Sequence, residues 1–102
     1  MNKLLEKIKN IYNIFGIYSF SNIILCNHAD NITLHDNDYL IIDHPGYYYI
    51  HIYENIKPVF ININKNKTNL NTLNLIKLNN NDIITRYDNN NFNMLICKND
   101  ND

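Results

Sequence analysis

The four histidines of the chain, His28, His35, His44 and His51, fall in one stretch with Asp30, Asp36, Asp38 and Asp43, and the two cysteines are Cys26 and Cys97. Imidazole, thiolate and carboxylate ligate transition metals, zinc above all. On a strand, Cys26 and His28 alternate onto one face; His35 could come from the next strand, and Cys97 would complete a set of four. The spacing matches no zinc template such as paired Cys-x-x-Cys. His and Asp beside turns more often serve as polar turn residues, so the expectation is no metal and no cofactor.

Nucleophilic chemistry has less support. A Cys–His pair can be drawn from either thiol, but an activated thiolate needs an electropositive, partly exposed setting that no local feature marks. Asp36 and Asp38 lie in a polar turn, a poor place for general acid–base work. With Gly16 and Gly46 as the only glycines, there is no phosphate-cradling loop. The chain reads as a non-enzyme with no catalytic residue to nominate.

What remains is binding through rings and charge. Tyr47, Tyr49, His51 and Tyr53 alternate along one run and share the face opposite Tyr48, Ile50 and Ile52. Such a row of rings can stack nucleobases or form a protein interface. Charge is unevenly placed: between Lys9 and Lys57 the formal sum is −5, whereas Lys57, Lys65, Lys67, Lys77 and Arg86 against Asp82 give +4. These five cations are a candidate basic patch. Phosphate binding needs cations clustered beside the rings, yet the Tyr run ends the acidic stretch and the pI is near 6.4. Nucleic acid is therefore the second choice of partner.

These side chains must be positioned by one helix and a set of short strands. Leu4, Leu5, Ile8, Ile11, Tyr12 and Phe15 recur at spacings of three and four, predicting an amphipathic helix over 3–15 with Lys3, Lys7, Asn10 and Asn13 facing away. Asn2 is the expected N-cap and Gly16 the C-terminal stop. Such a stripe packs on the protein's own sheet or docks on a partner, and Leu4, Ile8, Ile11 and Phe15 are its candidate contacts.

From residue 17 the pattern turns to short β-type runs separated by Asn and Asp, which tolerate turn conformations. Strands are expected at 23–27, 32–35, 39–43, 47–54, 59–64, 73–78, 82–87 and 92–97. The runs 47–53 and 59–63 read as a hairpin across a four-residue spacer, and 64–71 as a mobile polar connection. The class is mainly β: six to eight short antiparallel strands in a small sandwich, jelly roll or partly open barrel, with the helix on an end or face.

Length and composition fit one folded domain over 1–102, with a β-rich body at 17–97 and a polar tail at 98–102. Apolar residues make up 45% and the net charge is −1, which is too much apolar material and too little charge for disorder. Asparagine fills 23 of the 102 positions and isoleucine 18; both have AT-rich codons, so the skew points to an AT-rich genome. Two cysteines allow at most one bridge, fewer than small secreted scaffolds carry. Charges at Lys3, Glu6, Lys7 and Lys9 interrupt any signal-peptide core, and no run reaches the ~18 apolar residues of a membrane span. The expected location is intracellular.

Ile41-Ile42-Asp43-His44-Pro45-Gly46-Tyr47-Tyr48 resembles a strand entering the Gly-Tyr-aromatic strand of jelly rolls of the complement and tumour-necrosis-factor type. Leu78-Asn79-Asn80-Asn81-Asp82-Ile83-Ile84, followed by 92–96, resembles that family's penultimate turn and closing strand. The resemblance covers roughly a third of the chain and implies a compact sandwich; the interval between the segments is too short for all the strands the family places there. The functional expectation is a small β-rich subunit or accessory factor of a larger assembly, binding a protein partner or itself through the helix stripe or the Tyr face.

Overall fold

The computed structural model of the protein describes residues 3–16, 23–26, 29–35, 37–53, 59–87 and 93–99. In them α1 (Lys3–Phe15) precedes β1 (Ile23–Cys26), β2 (Ala29–Thr33), β3 (Tyr39–Ile42), β4 (Gly46–Tyr53), β5 (Val59–Ile63), β6 (Asn66–Leu70), β7 (Leu73–Leu78), β8 (Ile83–Arg86) and β9 (Asn93–Lys98). Five strands form one sheet in the order β1-β3-β8-β5-β6, and four form the other in the order β2-β9-β4-β7. Of the architectures the strand pattern permits, the chain takes the sandwich.

Alternation explains how the layers meet. On β4, Tyr48, Ile50 and Ile52 are buried, and they meet Ile32, Leu78, Met94 and Ile96 of their own sheet and Cys26, Leu40, Ile42, Ile61 and Ile84 of the other. All four residues of β3 are buried. Leu40 and Ile42 face that inter-sheet core, while Tyr39 and Ile41 face a second cluster with Ile83 and the helix residue Ile11. A strand covered on both faces reads as a continuous apolar run, which Tyr39-Leu40-Ile41-Ile42 is. The helix is thus a third layer on the five-stranded sheet.

The helix is rotated from its expected position. Ile8 and Ile11 are buried, but Leu5 and Tyr12 are 40% and 45% exposed, and Lys7, expected to face away, is 2% exposed. The cause is electrostatic. Lys7 Nζ lies 3.2 Å from the Asp43 carboxylate and donates to Ile42 O at 3.3 Å, to Asn80 Oδ1 at 3.3 Å and to Asn81 Oδ1. Asn81 in turn donates through Nδ2 to Glu6 at 2.7 Å and receives the Asn10 amide on its carbonyl. This polar clamp turns the helix so that Ile14 joins the buried side. At its end Gly16 takes φ 77° and its N–H bonds Tyr12 O at 2.8 Å, the expected left-handed stop. The expected cap Asn2 lies outside the described residues.

Three strand expectations are corrected. β4 and β5 do not form a hairpin, because they belong to different sheets: β4 pairs with β7 and β9, and β5 with β6 and β8. Alternation fixes which face is buried and leaves the neighbour open. Residues 66–70, read as loop, form β6. Its polar side chains leave only Leu70 buried, so backbone pairing with β5 at the sheet edge makes it a strand. β1 runs parallel to β3, from Ile23 opposite Tyr39 to Cys26 opposite Ile42. Jelly rolls are antiparallel and eight-stranded, so the resemblance to that family extends no further than the sandwich.

The β5–β6 turn shows how the chain manages with few glycines. Asn64 and Lys65 both take positive φ, 51° and 75°, as a two-residue type I′ turn demands. Asn64 is held by Asp82 through its Nδ2 and by the Ile83 N–H on its Oδ1, each at 2.9 Å. Lys65 has an exposed side chain and bears the steric cost of a left-handed β-carbon. Lys65→Gly is expected to stabilise the protein by about 0.5–1 kcal/mol, read as a higher urea midpoint; a lower midpoint would mean that the lysine stem contributes more than its backbone costs.

Candidate functional site: the outward face of the four-stranded sheet

The helix covers one outer face of the sandwich, and among the described residues no element covers the other. On β4 the residues between the buried ones point away from the core, with Tyr47 41% and Tyr49 40% exposed and His51 half-buried. Register extends this row sideways. Tyr49 lies between Leu75 of β7 and Cys97 of β9, and His51 between Leu73 and Leu95. Leu73, Leu75 and Leu95 are 61%, 53% and 38% exposed. Five large apolar side chains therefore share one sheet face, with Leu73 and Leu75 on the edge strand β7.

The rim of this face is polar and nearly uncharged. Lys77 stands opposite Tyr47, and at the far end Thr33 and Asn93 pair across β2 and β9, the Thr33 hydroxyl donating to Asn93 Oδ1. Tyr53 is in register with Asn93, but its side chain lies outside the described residues. Among the described side chains, Lys77 is the one charged group on these outward positions. Three leucines are additions to what the sequence suggested, and it is their register with β4 that places them on this face.

The expected basic patch is not brought together with the rings. Lys65 and Lys67 belong to the β5–β6 hairpin and Arg86 to β8, all in the five-stranded sheet; only Lys77 shares the Tyr sheet, and Lys57 lies outside the described residues. Lys67 Nζ stacks on the rings of Phe60 and Tyr87, at 4.3 and 4.5 Å from their centroids. Cation–π contact anchors it to its own sheet. The acidic stretch likewise contributes Asp43 to the helix clamp and Asp38 to a turn, where it accepts the His35 N–H at 2.8 Å.

Of the helix stripe, Leu5 and Tyr12 stay exposed, while the candidate contacts described are largely covered. Ile8 and Ile11 are buried under the helix, and Phe15 packs on Tyr39 with ring centroids 5.5 Å apart. They hold the helix to the sheet and are not an open docking face; the Leu4 side chain lies outside the described residues. The thiols are separated too. Cys26 is in the inter-sheet core, while Cys97 is on the outward face, and neither is in a disulfide. His28 lies outside the described residues, among which no three His, Cys, Asp or Glu side chains gather to hold a metal.

One open depression of about 170 Å³ lies at the end of the helix, lined by Phe15, Asn37, Asp38, Tyr39, Thr85 and Arg86. Ligand pockets are commonly 300 Å³ or more, a size this depression does not reach. Among the described residues no helix is long and apolar enough to cross a membrane. The fold is a mainly β sandwich with one helix as a third layer. Compared with protein-family models, with curated proteins and with solved structures, the chain matches none.

Proposed function

We propose that this is a non-enzymatic interaction protein, a small β-rich subunit or accessory factor that docks through the outward face of the four-stranded sheet. The observation that carries the reading is the row Tyr47, Tyr49, Leu73, Leu75 and Leu95, five exposed large apolar residues held in register on one surface. Contiguous apolar surface rimmed by polar residues marks interaction sites, and Tyr at the centre supplies area together with a hydroxyl that stays paired. Nucleic acid fits this surface poorly. Stacked bases bring phosphates that need several cations, and the face carries Lys77.

A photo-crosslinking residue replacing Tyr49 in the source cell is expected to trap a protein, whereas one replacing Asn66, on the edge of the other sheet, is not. Trapped nucleic acid would transfer the site to the alternative reading. Equal trapping at both positions, or none at Tyr49, would refute docking on this face.

A further inference from the structure

We propose that the occupant of this outward face is a second copy of this chain, packed sheet against sheet about a two-fold axis; the proposal rests on the docking role just given. Charge is the first argument. The described outward positions offer one cation and no carboxylate, so an acidic partner would gain a single ion pair and a basic partner none. An identical apolar face asks for no charge complement. A two-fold interface is self-complementary by construction. With the axis across the strands, the two β7 strands overlap in opposite directions, so Lys77 of one copy lies toward the Leu73 end of the other, which keeps the two ammonium groups apart.

Area is the second argument. Four strands about 4.8 Å apart and about six residues long span roughly 19 by 20 Å. Two such faces overlap over roughly 760 Å² in flat projection, and the relief of interdigitating side chains raises the accessible area buried toward the lower edge of the range for specific interfaces. Sheets stack face to face at about 10 Å with side chains interdigitating, and the outward tyrosines and leucines are long enough to do so. The third argument is the edge. Leu73 and Leu75 are the most exposed large apolar residues among those described, and they sit on an edge strand, where isolated domains usually place charges. An interface of this size gives a dimer that dissociates on dilution.

Cys97 provides a reporter within the face, since it pairs with Tyr49 and is partly exposed, while Cys26 is fully buried. Sedimentation equilibrium of the full chain should give twice the 12.1 kDa chain mass at high concentration. Cys97 alkylation should slow several-fold under the same conditions and recover on dilution. Leu73→Lys/Leu75→Lys should be monomeric, alkylate Cys97 at the dilute rate, and keep the circular dichroism of the parent. A parent that stays monomeric at every concentration overturns the proposal, as does a dimer that leaves Cys97 fully reactive. If the parent is monomeric and the Tyr49 crosslinker still traps another protein, the second-copy proposal alone fails; if it traps nothing, the docking role fails with it.

Discussion

Lys7→Ala is expected to remove about 3–5 kcal/mol of folding stability, because it takes a buried ammonium away from the largely buried Asp43 carboxylate. The two side chains are 2% and 8% exposed and 3.2 Å apart, so solvent replaces little of what is lost. Domains of this size are stable by about 5–15 kcal/mol, and the loss should lower the melting temperature by about 12 °C or more. The lysine also donates to Ile42 O and to the Asn80 and Asn81 side-chain oxygens, bonds that its removal loses, although Ile42 O keeps the Asn81 N–H at 2.8 Å. Lys7→Met/Asp43→Leu should recover part of the loss, since an apolar pair carries no buried charge. A single-variant loss below about 1 kcal/mol in urea titrations would mean that the pair is solvated like a surface ion pair.

Tyr48→Ala and Tyr49→Ala should differ sharply although the residues are adjacent. Tyr48 is fully buried among strands of both sheets, and its hydroxyl donates to His44 O at 2.5 Å. Its truncation opens a cavity and should cost about 3–5 kcal/mol. Tyr49 is 40% exposed and makes cross-strand contacts with Leu75 and Cys97, interactions worth about 0.2–1 kcal/mol each. Thermal melts of the two variants, recorded where the parent is monomeric, test the face assignment on which every binding argument depends. Comparable losses would mean that β4 does not present Tyr49 to solvent.

The face assignment of β4 is legible in the sequence because three aliphatic or aromatic positions alternate with rings and a histidine over a long run. β7 is not. In Leu73-Asn74-Leu75-Ile76-Lys77-Leu78 the default is to bury Leu73 and Leu75, yet Asn74, Ile76 and Leu78 face inward. Asn74 holds its place by donating to Ile50 O at 3.1 Å and to Asn71 O at 2.8 Å. In β9, Met94-Leu95-Ile96-Cys97 is apolar on both faces, so its pattern names no outward side. The sheet pairing of β5 and the clamp around Lys7 depend on contacts between distant segments, which periodicity does not encode.

The asparagines show the same limit. As a composition bias they read as turn filler, and Asn37, Asn64 and Asn81 do occupy left-handed turn positions. Asn64, Asn74 and Asn81 also bridge separate elements through both ends of their amides. The amide serves because it donates and accepts at once without a charge to desolvate.

The clamp between helix and turn also sets an order in time. Lys7 and Asn81 are 74 residues apart in the chain, and translation adds about 5–20 residues per second. The helix therefore leaves the ribosome about 4–15 s before its anchor exists. During that interval Ile11 has neither Ile83 nor the β3–β8 pairing to lie against, so a nascent chain arrested before residue 80 exposes an apolar helix side that the finished protein covers.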